Sequence, residues 1–198
     1  MPACTWQGKS EKNEIFLTFD DGPIPHVTEW VLETLERFQA KATFFCVGDN
    51  IQKHPGIFQK ILDQGHSIGN HTYHHLKGWK TPNPVYFENI QKWEETVAEH
   101  DFVLNNKPLF RPPYGQISPA QANYLKLKYE IVMWSIITGD FDRTLNQENC
   151  LIKSLKMTEA GTVIVFHDSL KSEANLKAIL PRYLEKILNA GFTFARMG

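Results

Sequence analysis

Glu14-Ile15-Phe16-Leu17-Thr18-Phe19-Asp20-Asp21-Gly22-Pro23 is the stretch whose reading sets the fold. A short apolar run, rich in aromatic and β-branched side chains and closed by a Gly-Pro turn, reads as a strand over 14–19. Runs of the same kind recur at 42–47, 67–69, 109–110, 130–134, 162–166 and 192–195. Helical patterns fill the intervals. Residues 28–38 carry Trp30, Val31, Leu32, Leu35 and Phe38 at helical spacing, with Thr28 as the expected N-cap. Residues 55–64 repeat the pattern and stop at Gly65, 85–100 is a longer amphipathic stretch, and Ser118-Pro119 reads as a cap followed by proline at the first helical position. Helices at 147–157 and 174–189 complete the set, the last expected to be split or kinked at Pro181 and ended by Gly191. Strands alternating with helices imply an α/β fold with a mostly parallel sheet, either a compact (β/α) barrel or a doubly wound sheet. In both, active sites gather at the C-terminal ends of the strands.

The chain has 198 residues, 42% of them hydrophobic, and a net charge of −1. That length implies one domain, folding to about 9,500 Å² of accessible surface from about 33,000 Å² unfolded, a core that needs no disulfide or metal staple. The absence of a long apolar run excludes a transmembrane segment, and the near-zero charge gives no footprint for nucleic acid. Three cysteines, Cys4, Cys46 and Cys150, do not make a disulfide frame, and Cys46 reads as a buried small hydrophobe. The opening residues, MPACTWQGKSEKNE, lack the basic-then-apolar pattern of a secretory leader. The expectation is a cytoplasmic protein, or an extracytoplasmic one if the chain is a trimmed form.

Chemistry collects where strands end. The first runs into Asp20-Asp21-Gly22-Pro23 and the third into Asn70-His71-Thr72-Tyr73-His74-His75. The fourth runs into Arg111-Pro112-Pro113-Tyr114-Gly115, the fifth into Gly139-Asp140-Phe141-Asp142 and the sixth into His167-Asp168-Ser169. Placing polar groups at the same end five times points to an enzyme. His71 and His75 are four apart, so on a helical turn their rings face the same way. With one carboxylate they make a three-ligand set for a divalent metal, leaving positions open for water and substrate. Adjacent aspartates project differently, so one can ligate while the other stays free as a base. Arg111 is suited to pairing with one of the two and holding it ionised, and His167 to acting as general acid.

These residues resemble a known family. TFDDGP, HTYHH, RPPYG, GDF and FHD are similar to the five ordered motifs of polysaccharide deacetylases, the NodB-homology domain of carbohydrate esterase family four. The resemblance covers 14–198, leaving 1–13 as an N-terminal extension. It implies a distorted (β/α) barrel of about seven parallel strands and metal-dependent removal of an N- or O-acetyl group from a carbohydrate. On that resemblance Asp21, His71 and His75 bind the metal, Zn²⁺ first, with Co²⁺ or Mn²⁺ as alternatives. Asp20 is the base acting on metal-bound water, oriented by Arg111. The Tyr114 N–H stabilises the oxyanion, and His167, tuned by Asp140, is the acid. Val165 stands in the pocket for the acetyl methyl.

Two positions depart from the pattern. Where the family commonly has D-S-x-D-W, this chain has Ile137-Thr138-Gly139-Asp140-Phe141, so Ile137 removes a carboxylate and Phe141 replaces a groove-lining tryptophan; in the fifth motif, Val165 stands for leucine. Tyr73, Trp79 and Phe141 are candidates for stacking on sugar rings. The expected partner is an acetylated carbohydrate, with a polymer and a cytoplasmic or lipid-linked precursor (deacetylated or deformylated) both open, as is the oligomeric state. A two-histidine, one-carboxylate iron oxygenase and a non-catalytic carbohydrate-binding protein are the remote alternatives. Neither gives Asp20, Arg111 and His167 a task.

Overall fold

The structure, a computed structural model, describes residues 4–10, 12–100 and 107–198; residues 1–3 and 11 of the expected extension lie outside the described residues. Nine strands form one sheet: β1 Cys4–Thr5, β2 Glu14–Asp20, β3 Thr43–Cys46, β4 Ser67–Asn70, β5 Leu109–Phe110, β6 Glu130–Val132, β7 Ile136–Ile137, β8 Val163–His167 and β9 Thr193–Ala195. Their order is β1-β6-β5-β4-β3-β2-β8-β7. β9 sits against Glu14–Phe16, below the point where β3 begins to pair with Thr18. Every strand pair is parallel. The result is the distorted (β/α) barrel expected, curled and open between β1 and β7.

All seven strands read from the sequence are present. The two additions, β1 and β7, have two residues each. Residues 4–8 tie the open side together. Cys4 and Thr5 pair with Ile131 and Val132, Gln7 bridges Thr162, and the Gly8 N–H donates to Gly161 at 2.8 Å.

Seven helices pack outside: α1 Val27–Arg37, α2 Gly48–Lys53, α3 Pro55–Asp63, α4 Asn83–Ala98, α5 Pro119–Leu125, α6 Gln147–Met157 and α7 Glu173–Asn189. Two expectations are corrected, and one helix is new. Thr28 lies inside α1, whose N-cap is His26 at φ 65°; the Thr28 hydroxyl is spent on other partners. Pro181 does not split the last helix, which runs through it from Glu173 to Asn189 because one face buries Leu176, Ile179, Leu180, Tyr183, Leu184 and Ile187 against the sheet. The short helix α2 has too few residues to be read from periodicity. Ser118 caps α5 as read, its hydroxyl accepting from Gln121 N.

The strands' alternation sorts their side chains. One parity, with Ile15, Leu17, Phe19, Phe44, Cys46, Ile164 and Phe166, meets the helices and forms the main core. The Phe19 ring stacks between Phe44 at 5.1 Å and Phe166 at 5.8 Å. The other parity faces the barrel interior, where Phe16, Phe45, Leu109, Val132, Val163 and Met197 form a floor. Above that floor the same parity delivers Thr18 and Asp20 from β2, Arg111 after β5 and His167 from β8. The accessible surface, 9759 Å², is close to the scaling expectation.

Gly69 on β4 shows how tightly this interior is packed. A Cβ there would lie 2.5 Å from the Phe45 ring and 3.2 Å from Leu109 Cβ. The Phe45 ring in turn lies under the Arg111 guanidinium, 4.0 Å from its centroid. Gly69→Ala is expected to destabilise the fold by about 2 kcal/mol through overpacking, read as a lower urea midpoint at unchanged slope. Parent-like stability would show that the floor is not close-packed.

Candidate active site

The site begins with Arg111, which is fully buried. Its Nη1 donates to Asp20 Oδ1 at 2.7 Å and to Thr18 Oγ1 at 2.8 Å. Its Nε and Nη2 donate to the carbonyls of Val132 and Met133 at 3.2 and 2.9 Å. An arginine can be buried only when its donors are met and its charge opposed, and here both conditions hold. Burial favours the neutral form of Asp20. The charge and hydrogen bond of Arg111, with His71 and His167 nearby, outweigh burial and hold the Asp20 carboxyl below the usual carboxylate range.

Asp21, the next residue, turns the other way. Its φ of 88° breaks the strand and leaves its side chain at the mouth. Asp21, His71 and His75 bring their ligand atoms within 4.8 Å of one another. His75 Nε2 is 3.2 Å and His71 Nε2 3.9 Å from Asp21 Oδ1. The two histidines do not lie on a helical turn. Residues 71–75 are an irregular loop with Thr72 at φ 60° and His75 at φ 55°, pinned by Asn70, whose Oδ1 accepts from Thr72 N at 2.8 Å.

The donor set fits a divalent cation. His71 Nδ1–H donates to the Arg111 carbonyl at 2.8 Å, which fixes the tautomer and leaves the Nε2 lone pair facing Asp21. Burial lowers the His71 pKa to about 3, so the ring is neutral, as a ligand must be. Burial lowers that of His75 as well.

On the opposite wall His167 is bound twice by Asp140: Nδ1–H donates to Oδ1 at 2.7 Å and the backbone N–H to Oδ2 at 2.7 Å. Burial opposes a charge on His167. The Asp140 hydrogen bond and charge, joined by Asp20 and Asp21, overcome it and raise the ring to about 9. Asn175 holds the loop beneath by donating to the carbonyls of Asp140 and Asp142, each at 3.1 Å.

These groups line one cavity of about 500 Å³, with Tyr114, Trp134, Ile137, Phe141, Val165, Ser169 and Lys171. Every site residue named from the sequence lines it except Arg111 and Asp140, which lie behind Asp20 and His167. Tyr114 is at φ 60° in the turn Pro113–Gly115, whose hydrogen bonds are donated by Gly115 and Gln116. The Phe141 ring stands edge-on to His167 at 5.2 Å. Tyr73 is not a rim aromatic but core, 2% exposed. Trp79 is exposed and is not among the lining residues; its Nε1–H donates to Ile117 O at 3.0 Å.

Reading the sequence missed Asp168, Trp134 and Lys171. Asp168 is wholly buried beneath the first motif, accepting from Gly22 N at 3.0 Å and Thr28 Oγ1 at 2.6 Å. Burial pushes its carboxyl up to about 8. Gly22 has to be glycine here, since a Cβ would lie 2.0 Å from Asp168 Oδ2.

Charged groups gathered around one cavity at the C-terminal ends of a parallel barrel's strands mark the place where enzymes of this architecture carry their active sites. The kind of enzyme follows from comparison with known proteins. A family model described as "Polysaccharide deacetylase" matches residues 7–132. A peptidoglycan-N-acetylglucosamine deacetylase of Bacillus cereus is 30% identical over 96% of this chain and 89% of its own length. A chitooligosaccharide deacetylase of Azorhizobium caulinodans is 34% identical over 79% and 74%. The crystal structure of the Bc1960 peptidoglycan N-acetylglucosamine deacetylase superposes with a TM-score of 0.85 at 31% identity, over 98% of this chain and 91% of that one. The chain spans 60% and 38% of two further relatives. It belongs to the polysaccharide deacetylase family and is a carbohydrate deacetylase, a hydrolase of non-peptide carbon–nitrogen bonds.

Asp140→Asn is expected to lower the His167 pKa from about 9, because burial is then opposed only by the charges of Asp20 and Asp21. If protonated His167 is needed, the alkaline limb of kcat/KM moves down from near pH 9. The stabilisation of protonated His167, on the order of 3 kcal/mol, is complete below about pH 6.5 and lost as pH rises through about 9. An unchanged alkaline limb would disprove the coupling.

Proposed function

We propose that the chain hydrolyses the N-acetyl group of N-acetylglucosamine residues in a glycan of the peptidoglycan or chitooligosaccharide type. One observation carries this reading: a base held ionised by Arg111 and an acid held protonated by Asp140 face the same cavity beside a three-ligand site. The relatives' substrates support the choice of sugar.

Asp21, His71 and His75 would hold a divalent cation, Zn²⁺ first and Co²⁺ or Mn²⁺ otherwise, and Arg111 would hold Asp20 apart from them. Such a cation supplies Lewis-acid polarisation of a carbonyl and makes water acidic enough to ionise near neutral pH. Asp20 takes the proton of the attacking water through Oδ2, its Oδ1 being occupied by Arg111. The Tyr114 N–H, directed by the left-handed backbone of its turn, donates to the carbonyl oxygen as charge builds on it. Trp134, Ile137, Phe141 and Val165 form an apolar wall that seats the acetyl methyl and excludes bulk water. His167 then gives its Nε2 proton to the departing nitrogen, and Asp140 steadies the ring. An oxygenase or a binding module would leave both charged pairs idle.

The test is acetate release from N-acetylglucosamine oligomers and from peptidoglycan. Chelation is expected to abolish activity, and added Zn²⁺ or Co²⁺ to restore it. Asp20→Asn should lower kcat at least a thousandfold while metal analysis still finds the cation bound. Activity surviving that substitution would sink the assignment of the base.

A further inference from the structure

The cavity has two further features that the deacetylation chemistry does not use. On the ligand side, His75 contacts the Tyr114 ring at 4.6 Å, and Lys77 Nζ lies 4.5 Å from the centroid of the same ring. On the acid side, the Phe141 ring contacts His167, and Lys171 Nζ lies 5.7 Å from the Phe141 centroid. His75 and His167 are therefore each backed by an aromatic ring that lines the cavity, and each ring by a lysine.

Among the described residues neither lysine is spent on an ion pair. Among the described residues the lysines in salt-bridge contact with carboxylates are Lys53, Lys60, Lys128 and Lys177. Asp142 senses Lys171, but its carboxylate is already engaged by Thr144 N at 2.9 Å and Thr144 Oγ1 at 2.7 Å. The backbone beneath Lys171 is clamped by Arg143, whose Nε and Nη2 donate to the carbonyls of Lys171 and Leu170 at 3.0 and 3.3 Å. Lys171 itself lines the cavity. Two positive charges, one beside Tyr114 and one beside Phe141 of the cavity lining, suit a sugar chain laid across the mouth with negative groups on either side of the reacting residue. A chain with a net charge of −1 has no general field to attract such a substrate, so local charges have to do it.

We propose that Lys77 and Lys171 are specificity-determining residues that bind anionic substituents on the sugars flanking the reacting acetamido sugar. The preferred substrate is then an acetylated glycan bearing carboxylate or phosphate groups rather than a neutral oligomer. This inference rests on the deacetylase reading above and narrows its substrate.

Acetate release is compared on glycans of equal length. One is all N-acetylglucosamine. A second alternates it with N-acetylmuramic acid, with and without conversion of its carboxylates to amides. A third is a phosphorylated N-acetylglucosamine oligomer. The parent enzyme is expected to prefer an anionic glycan, with an advantage that shrinks as salt is raised. Preference for either anion supports the proposal, and the larger of the two names the source. In the Lys77→Gln, Lys171→Gln double variant the anionic-to-neutral ratio of kcat/KM should fall about tenfold, mainly through KM. Arginine at both positions should restore it. A ratio near one in the parent, or one unchanged in the double variant, overturns charge selection while leaving deacetylation standing. Release from none of the glycans overturns both.

Discussion

The buried pair between Asp20 and Arg111 is the constraint on which the rest of the site depends. Arg111 follows β5, but its guanidinium reaches Thr18 and Asp20 on β2 and two carbonyls at the end of β6, while its own carbonyl holds His71. One residue thus ties together three strands, Asp20 and His71. Removing one member of such a pair strands a charge in the interior, at a typical cost of about 3–5 kcal/mol. The same atoms that keep the carboxylate ionised therefore also keep the barrel shut around it, and stability and chemistry cannot be tuned separately here. The Phe45 ring below the guanidinium, and the absence of a side chain on Gly69 that lets the ring lie there, extend this constraint into the apolar floor.

Strand parity explains how distant residues meet. Asp20 is in register with His167 across β2 and β8, and Gly69 with Leu109 across β4 and β5. Counting two residues on from Gly69 and Leu109 gives His71 and Arg111, level with each other and facing the same interior. In a parallel sheet a shift of one residue would turn each of these side chains toward the helices. The main core guards against that shift, because Phe19, Phe44 and Phe166 would then move into the barrel. Packing on the outer face thus protects the chemistry on the inner one.

This explains which parts were legible in the sequence. The seven strand runs, and the acid, histidine or arginine after four of them, could be read because both signals are local; Gly139-Asp140-Phe141 follows β7, which was not read, rather than β6. His71 and His75 could be named for the same reason, while the choice of Asp21 over Asp20 rested on the family resemblance. How His71 and His75 converge could not be read, because the loop depends on the Asn70 side chain and two left-handed residues rather than on a helical repeat. Thr28 was misread because its hydroxyl serves Asp168, 140 positions away. Pro181 misled because a long apolar face outweighs one lost hydrogen bond. Trp134 and Lys171 carry no local signal, Asp168 was legible only as part of a motif, and the roles of all three appear only once the strands are assembled.

Asp20 and His167 are neighbours in register, yet each is held charged by its own partner. Arg111 keeps one below the carboxylate range and Asp140 raises the other to about 9. Paired groups driven apart in this way can serve as base and acid at the same pH, since the ion pair persists across neutrality. The arrangement has a cost on the base side. A carboxylate held so firmly ionised is a weak base, and it removes a proton only from water whose own acidity has been raised. The three ligands supply the place for that, one residue further along the chain at Asp21, where the backbone turns to φ 88° and the next carboxylate is free to face the mouth. On the proposed chemistry, the buried arginine and the cation site are therefore one requirement: the first makes Asp20 dependably ionised, and the second makes so weak a base sufficient.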